Sequence, residues 1–314
     1  MPPKILVISG PTASGKTRLA VELALRHGGE VVSADSMQVY RRMDIGTAKP
    51  TPEEMRGIPH HMLDVADPEE DFSVARYVEL AAPCVDDILA RGKLPIVAGG
   101  TGLYLDSLLS GRTFAPFSPD GGLRARLEAR FDALGGEAML GELAAADPEA
   151  AARLHPNDRK RIVRALEVFQ QTGKTISQHN RETRALPLRY DALTLSLAFQ
   201  RREDMWARID RRVDEMMAAG LAEEVRALLD SGVPARCTAM QAIGYKEMAA
   251  AQRGGGDVCA AAEEIKLRSR QYAKRQLIWL RRNPAIHWME WEKERNFEQA
   301  LQLSTEILTA AGVC

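Results

Sequence analysis

The residues whose types and spacing best suit chemistry lie near the N-terminus, in the segment Gly10-Pro11-Thr12-Ala13-Ser14-Gly15-Lys16-Thr17. The spacing Gly-x4-Gly-Lys-Thr follows a short apolar run and precedes a helical pattern, which is the context that its mechanism requires. Its glycines allow backbone N–H groups to turn toward phosphate oxygens, and the start of the next helix adds a favourable dipole. Lys16 supplies a cation, and the Thr17 hydroxyl suits a Mg²⁺ ion. The segment therefore predicts a diphosphate or triphosphate ligand without specifying a nucleotide.

Polar side chains follow two further strand-like runs. Asp35 and Ser36 follow one of them, and Thr101 follows the other within Gly99-Gly100-Thr101-Gly102. Ligands of open parallel sheets bind beyond the carboxyl ends of the strands, so these residues should converge on the phosphate-binding loop. Asp35 could hold Mg²⁺ or accept a proton from a nucleophile, but it could equally be a turn or capping residue. The glycines indicate either a close approach to a ligand or a simple tight turn.

The elements that must position these residues alternate between strand and helix. Such alternation predicts an α/β fold, a P-loop NTPase-like parallel sheet flanked by helices. The predicted strands are Lys4–Ser9, Glu30–Ser33, Leu94–Ala98 and Ala192–Phe199, and the helices among them are Thr17–His27 and Val74–Ala90.

The alternation lapses between residues 113 and 189, where helical periodicity alone is present. Helices are predicted there at Leu123–Leu134, Glu137–Ala145 and Arg159–Gln171. We therefore predict a core of residues 1–112 and 190–314 and an all-helical insertion of residues 113–189, with a mostly helical chain beyond Arg202.

Composition excludes several classes of protein. Apolar residues make up 45% of the 314, enough for a sizeable core, and no apolar run is long enough to span a bilayer. The N-terminus begins in a strand-like run, with no room for a signal peptide. The four cysteines are widely spaced, which favours free thiols over disulfides or zinc. We expect a cytoplasmic protein without a membrane partner.

The net charge is only −1, but positive charge is segregated. No acidic residue occurs from Ile265 to Met289, a stretch that holds Lys266, Arg268, Arg270, Lys274, Arg275, Arg281 and Arg282. A second run comprises Arg153, Arg159, Lys160, Arg161 and Arg164. These runs indicate either a phosphate-backbone partner or solvated helix faces.

Histidines and tryptophans give two weaker signals. His60 and His61 are adjacent and lack an obvious third ligand, so a structural or hydrogen-bonding role is favoured over a metal site. Trp279, Trp288 and Trp291 could stack on bases, although core or interface packing is the preferred interpretation.

Taken in order, the motifs resemble those of the bacterial tRNA dimethylallyltransferases, also called tRNA isopentenyltransferases. The similar segments run from residue 10 to about residue 282, and their combination is far more specific than the P-loop alone. They are Gly10–Thr17, Asp35–Tyr40, Ile45–Pro50, Ile58–His61, Gly99–Tyr104, His155–Asp158 with Arg161, Arg164–Val168, Gln241–Glu247 and Tyr272–Gln276.

The resemblance implies transfer of a dimethylallyl group from dimethylallyl diphosphate to N6 of the adenosine at position 37 of tRNA, on the 3′ side of the anticodon. Pyrophosphate leaves. Asp35 would be the general base, while Lys16, the loop amides, Thr101 and Mg²⁺ held by Thr17 would stabilise the pyrophosphate, with Asp35 a second candidate metal ligand. Arg212 would reach toward the pyrophosphate, and Arg208 is a weaker candidate.

The resemblance also implies a tRNA anticodon stem-loop as partner of a monomeric enzyme. Its RNA contacts would be Asp35, Ser36, Met37, Gln38, Thr101, Arg124, Lys160, Arg161, Ile162, Val163, Arg164, Gln241, Gly244, Tyr245, Lys246, Lys274, Arg275, Gln276, Trp279 and Arg281. Two positions depart from the family pattern: Ile278 and Leu280 stand where the family often has Thr and Phe. The C-terminal Cys/His zinc module of eukaryotic relatives is not found, which favours a bacterial enzyme.

Three alternatives share some of these features. A small-molecule kinase would use the P-loop for ATP and Asp35 as base toward an alcohol, but it would not need the insertion. Enzymes that prenylate free adenine nucleotides lack most of the insertion. A non-catalytic RNA-binding P-loop protein would not need Asp35 and Thr101.

Overall fold

The computed structural model describes residues 2–111, 114 and 122–313, apart from the side chain of Arg184. The chain divides into two compact units. The first, the core unit, comprises Met1–Leu109 and Arg189–Cys314, and the second, the helical unit, comprises Ser110–Leu188.

The core unit contains a six-stranded sheet in the order β3-β2-β4-β1-β5-β6. Every pairing is parallel, which confirms the predicted α/β class. The strands are β1 Lys4–Ser9, β2 Gly29–Ser33, β3 His60–His61, β4 Leu94–Ala98, β5 Asp191–Phe199 and β6 His287–Trp291.

The sequence prediction missed both edge strands. β3 is only two residues long, too short for any periodicity. β6 is His-Trp-Met-Glu-Trp, which alternates between buried and accessible positions rather than forming an apolar run. Its parallel pairing with β5 is a contact distant in sequence that local pattern does not reveal.

Helices cover the sheet, and the prediction at Val74–Ala90 matches the observed bounds. The helices of the core unit are α1 Lys16–His27, α2 Pro52–Met55, α3 Val74–Ala90, α4 Gly102–Leu109, α9 Arg202–Ala218, α10 Leu221–Asp230, α11 Tyr245–Gly254, α12 Val258–Leu280 and α13 Phe297–Ala310. Those of the helical unit are α5 Gly122–Ala146, α6 Pro148–Ala151, α7 Arg159–Thr172 and α8 Ile176–Arg184. Across the described ranges, no helix is long and apolar enough to cross a membrane.

Both faces of the sheet are buried, as a parallel sheet requires. Ile5 and Val7 of β1 belong to the cluster packed by α3, α4, α10, α11 and α12. Leu6 and Ile8 point the other way, into the cluster packed by α1 and α13. Because alternate residues of β1 pack against helices on both sides of the sheet, the strand and the start of the loop that follows it are held in place.

The helical unit has a core of its own, in which Leu127, Met139, Leu143, Ile162 and Leu166 are buried. Gly135, with φ 81° and ψ 166°, interrupts α5 at the boundary between the two predicted helices. The buried Asp147 accepts hydrogen bonds from the N–H groups of Ala150 and Ser177, which ties α6 to α8. This unit buries enough apolar surface to be compact by itself.

Candidate active site

The phosphate-binding loop lies between β1 and α1, at the carboxyl edge of the sheet. Gly10 has φ +144°, and a Cβ there would lie 2.6 Å from the carbonyl oxygen of Leu197. Gly15, at φ +95°, precedes α1 and provides no side-chain cap. The first N–H groups of α1 therefore remain available to an anion, as phosphate-binding loops require.

Lys16 is half-buried beneath this loop, and its Nζ donates to the carbonyl oxygen of Pro11 over 2.8 Å. Burial lowers the pKa of Lys16 to about 8, the positive charge of Arg212 acts in the same direction, and Asp35 opposes both. The ammonium is therefore costly to hold charged without a ligand. A phosphate group beside it would reverse that cost.

A large cavity of about 650 Å³ opens beside the loop. Its wall carries six cations and four carboxylates, and one of the cations, Lys49, pairs with Asp44 and Asp64. The other five come from α1, α9 and the segment before α13: Lys16, Arg18, Arg208, Arg212 and Arg295. Within residues 2–111, 114 and 122–313, none of these five side chains forms an ion pair. Burial also lowers the pKa of Arg212, with Asp35 opposing. Such unpaired charge predicts a polyanionic ligand.

Asp35 combines the two roles that the sequence left open. Its Oδ1 accepts hydrogen bonds from the N–H groups of Met37 (2.9 Å) and Gln38 (3.3 Å), which is a turn-capping role. The residue also lines the large cavity. Its Oδ2 has no hydrogen-bond partner in the described part of the chain. One oxygen thus fixes the side chain while the other is available for chemistry.

A small cavity of about 300 Å³ adjoins the large one. Asp35, Arg212 and Tyr272 line both, so these side chains stand where the two cavities meet. Apolar side chains provide the larger part of the surface of the small cavity, among them Met37, Ile209, Val213, Ile243 and Ile265. Polar and charged residues line the rest of it, among them Ser36, Gln241 and Arg275. An anionic ligand in the large cavity would have an apolar space next to it.

Thr101 lies behind the cavity wall. Its Oγ1 accepts a hydrogen bond from the N–H of Ser36 over 3.1 Å. The lining of the two cavities, within the described residues, does not include Thr101. In this conformation Thr101 therefore orients the Asp35–Ser36 turn, and its contact with the pyrophosphate stays a prediction.

Helix α12 is tied directly to the phosphate-binding loop through Gln276. Its Oε1 accepts from the N–H of Thr12 (2.9 Å), and its Nε2 donates to the carbonyl oxygen of Gly100 (3.0 Å). Gln276 is therefore buried, and both ends of its amide are hydrogen-bonded to the protein. Tyr272, one turn earlier, forms a hydrogen bond to Thr101, and burial beside Asp35 raises its pKa to about 12.

The glycines after β4 bring protein, not ligand, close to the backbone. A Cβ at Gly99 would lie 2.2 Å from the carbonyl oxygen of Ala34, and one at Gly100 would lie 2.2 Å from Nε2 of Gln276. A Cβ at Gly102 would lie 2.3 Å from the ring of Trp279. Trp279 is thus partly buried against the core.

The Gln241–Glu247 segment supports the opposite wall through a buried network. The Glu224 carboxylate accepts from the N–H groups of Asp44, Ile45 and Gly46, at 2.8 to 3.1 Å. The hydroxyl of Tyr245 donates to the same carboxylate. This arrangement fixes the loop that borders both cavities.

The same network determines which of the predicted RNA-binding residues in this region present their side chains to solvent. Tyr245 is fully buried, so its side chain is not available to RNA, and Gly244 beside it is buried too. Lys246 is exposed, and Gln241 lines the small cavity. Gln38 donates to the carbonyl oxygens of Thr47 and Ala48.

The basic residues of α12 fall into two groups. In its first half, Lys266 pairs with Asp214, Arg268 with Glu264 and Arg270 with Asp210. At its second half and end, Lys274, Arg275, Arg281 and Arg282 are exposed and have no ion pair within the described residues. The basic residues of the first half stabilise contacts within the protein, and those of the second half and the end are free to bind a polyanion.

The helical unit divides similarly. Arg153, Arg159 and Arg164 pair with Glu149, Asp132 and Glu167, whereas Lys160 and Arg161 are exposed without an ion pair in the described ranges. Arg124 pairs with Glu128. The side chains of Ile162 and Val163 are buried in the core of the unit, so an RNA contact at these two positions would have to be made by their backbone.

Several residues of the large cavity are missing from the sequence prediction of site residues, among them Arg18, Tyr272, Arg295 and Phe297. Tyr272 occurs in a segment with family resemblance and could have been found there. Arg295 and Phe297 lie nearly 280 positions from Gly15 and carry no motif. Only the pairing of β6 with β5 brings them to the loop.

The histidines and Trp291 have structural roles. His60 Nδ1 lies 2.9 Å from the carbonyl oxygen of Ile58, and His61 Nε2 lies 2.8 Å from the Glu30 carboxylate. Trp291 is buried, and its Nε1 donates to the carbonyl oxygen of Ser14. It therefore braces the phosphate-binding loop from below.

Comparison with known proteins places this site in a family. The family model described as IPP transferase matches residues 38–283, and one described as isopentenyl transferase matches residues 3–70. The chain belongs to the IPP transferase family. It is 50% identical to tRNA dimethylallyltransferase 1 of Trichlorobacter lovleyi, over 93% of this chain and 95% of that protein. It is 49% identical to tRNA dimethylallyltransferase of Geobacter sulfurreducens, over 92% of each.

Solved structures of the family have the same fold. The tRNA isopentenylpyrophosphate transferase of Bacillus halodurans superposes with a TM-score of 0.73 at 40% identity, covering 98% of this chain and 96% of that one. A eukaryotic dimethylallyltransferase acting on tRNA superposes with a TM-score of 0.83 at 30% identity, covering 98% and 80%. The chain is therefore a prenyltransferase of this family, as the sequence predicted, and the kinase and non-catalytic alternatives are not supported.

Proposed function

We propose that the chain transfers a dimethylallyl group from dimethylallyl diphosphate to N6 of the adenosine at position 37 of tRNA, releasing pyrophosphate. The observation that carries this proposal is the junction at Asp35 and Arg212 between a cation-lined cavity and an apolar one. The first suits a diphosphate, and the second suits a flat or branched apolar group beside it. The names of the relatives support the same reaction.

The donor diphosphate would bind the N–H groups of the phosphate-binding loop, with Lys16 and Arg212 on its oxygens. As the allylic C–O bond breaks, negative charge grows on the leaving pyrophosphate. Fixed cations in a half-buried site stabilise that charge without reorganising. Arg208, which lines the same cavity, would add to this field.

Mg²⁺ fits the same wall. The Thr17 hydroxyl lines the large cavity and has no hydrogen-bond partner within the described residues, and Oδ2 of Asp35 is equally available. Mg²⁺ prefers oxygen ligands, and when a diphosphate provides some of them the protein usually provides only one or two. Bound there through Thr17, with Asp35 as a second candidate, the ion would neutralise charge on the leaving group.

The acceptor adenine would enter from the small cavity. Its N6 forms a bond to the allylic carbon while the C–O bond to the diphosphate breaks, and the nitrogen then carries an excess proton. Oδ2 of Asp35 accepts that proton, because its Oδ1 is held by the two backbone N–H groups. A base in an RNA loop must be turned out of its stack to reach such a site.

The tRNA would be bound by the exposed cations that have no carboxylate partner in the described ranges. These are Lys160 and Arg161 of the helical unit and Lys274, Arg275 and Arg281 of the core unit. Since tRNA and the diphosphate are both soluble, we propose that the chain works in the cytoplasm without a membrane partner. We also propose that it works as a monomer, as the family resemblance implies.

The decisive test is transfer of label from radiolabelled dimethylallyl diphosphate with Mg²⁺, offering an anticodon stem-loop or AMP. We expect label on the stem-loop only. Label on AMP alone would show a free-nucleotide prenyltransferase, and no label on either would contradict the proposal.

Asp35→Asn tests the general base in the same assay. Because the amide oxygen still caps the turn, we expect kcat to fall by about 10²- to 10⁴-fold with a KM for stem-loop close to wild type. Asp191→Asn, an exposed change at the opposite end of the sheet, is the matched control. An unchanged kcat in Asp35→Asn would exclude Asp35 as the base.

A further inference from the structure

The segment between β6 and α13 passes directly over the phosphate-binding loop. A Cβ at Gly15 would lie 2.7 Å from Cζ of Phe297 and 3.1 Å from Nη1 of Arg295. Trp291, at the end of β6, donates from Nε1 to the carbonyl oxygen of Ser14 over 2.8 Å. The start of this segment is therefore held in place by the same loop that it covers.

Arg295 faces the large cavity from this segment. Its side chain is half-buried, lines the cavity together with Lys16, Arg208 and Arg212, and forms no ion pair within the described residues. Exposed arginines elsewhere in the core unit commonly pair with a carboxylate, as Arg91 does with Asp87. Arg295 is thus held among other cations without an ion pair, although the negative charge of Glu215 in the same cavity wall partly offsets their repulsion.

Phe297 holds the guanidinium in position. The Arg18 guanidinium carbon lies 4.1 Å from the centroid of the Phe297 ring, and that of Arg295 lies 5.2 Å from it. Contact with an aromatic ring stabilises a cation by only a modest amount. Burial, followed by the positive charges of Arg208 and Arg18, lowers the pKa of Arg295 to about 10. The ring therefore does not offset the repulsion, which an anion in the cavity would.

We propose that Arg295 is a further diphosphate-binding residue, whose guanidinium donates hydrogen bonds to the phosphate oxygens of the prenyl donor. This inference rests on the proposed function of the large cavity. A planar guanidinium suits two oxygens of one phosphate, whereas the Lys16 ammonium acts as a point charge. Arg295 would thus contribute to diphosphate binding from the segment before α13, together with Arg208 and Arg212 of α9.

The test uses the full-length enzyme with Arg295→Ala, Arg295→Lys and the control Lys293→Ala. Lys293 lies two residues away on the same segment, is exposed and does not line the cavity, so its substitution removes one positive charge without touching the site. The measurements are the Kd of pyrophosphate by calorimetry, the KM values of both substrates, and the thermal midpoint.

We expect Arg295→Ala to raise both the pyrophosphate Kd and the donor KM by about 10- to 100-fold, the range for one lost hydrogen bond to a charged group. Arg295→Lys should lie between Ala and wild type, while the stem-loop KM and the thermal midpoint should remain near wild type. Lys293→Ala should match wild type throughout.

An unchanged pyrophosphate Kd in Arg295→Ala would overturn the inference, and so would equal changes in Arg295→Ala and Lys293→Ala. If Arg295→Ala lowers the thermal midpoint, Arg295→Lys decides: an altered pyrophosphate Kd at a wild-type midpoint supports binding, and a wild-type Kd refutes it. Failure of the proposed function is distinguishable, because wild type would then bind no pyrophosphate and transfer no label.

Discussion

The cations of the large cavity and those of the helical unit differ in whether a carboxylate accompanies them. Within the described residues, the cavity group of Lys16, Arg18, Arg208, Arg212 and Arg295 forms no ion pair. In the helical unit, most of the described arginines form an ion pair with a glutamate or an aspartate, among them Arg130 with Glu142 and Arg159 with Asp132.

This difference distinguishes basic side chains that form ion pairs within the protein from basic side chains that are free to bind an anionic ligand. A paired surface arginine contributes little to stability and little field. An unpaired half-buried one is destabilising, and it persists where a bound anion compensates it. The density of basic residues in the sequence is therefore a weaker guide to function than the number of basic side chains that form no ion pair in the fold.

Among substitutions of the cations, the largest effect should come from Lys16→Met, which keeps most of the side-chain stem and removes the charge. Loss of a preorganised cation at the leaving group should lower kcat/KM for the donor by about 10²- to 10³-fold. Because the wild-type ammonium is costly in the ligand-free site, the thermal midpoint without ligand should stay equal or rise. A large fall in that midpoint, measured by circular dichroism, would contradict the distinction between the two groups of cations.

A smaller effect should appear in the pH dependence of donor binding. The pKa of Lys16 is about 8 in the free enzyme, and a bound diphosphate favours the protonated form and raises it. Below pH 8 the donor KM should therefore be flat, and above it the KM should rise by about tenfold per pH unit. In Lys16→Arg, which stays protonated, the rise should vanish. A wild-type KM that is flat to pH 9.5 would rule out titration of Lys16.

The smallest effect should come from the helical unit. Replacing Lys160 and Arg161 together by Ala should raise the stem-loop KM several-fold and reduce the salt slope of binding by about two. Arg153→Ala, whose side chain pairs with Glu149, should leave that slope unchanged. Filter-binding titrations at several salt concentrations measure the slopes of both variants. Equal slopes would show that paired and unpaired cations of the helical unit do not differ in RNA binding.

The α/β class could be predicted from the sequence because buried parallel strands and the helices that cover them have recognisable local hydrophobic patterns. Predicted strands at Lys4–Ser9 and Leu94–Ala98 have the observed bounds. β6 was not accessible, since its pairing with β5 joins residues about ninety positions apart and its own pattern is mixed.

The residues of the candidate site likewise divide into those that a local pattern predicts and those whose position depends on distant contacts. Gly10–Thr17 and Asp35 were evident because a phosphate-binding loop and a strand-end carboxylate carry local signatures. The positions of Thr101 behind Ser36, of Tyr245 on Glu224 and of Ile162 in a core depend on which face each residue presents. Residue type and spacing do not determine that.

By itself the sequence determined the loop, its strand and helix, the family and the reaction class, because each depends on short-range pattern or on many motifs in order. Only the tertiary structure decided which cations stay unpaired and that Arg295 and Phe297 reach Gly15. Charge compensation and packing are set by neighbours in space, and those neighbours come from distant parts of the chain.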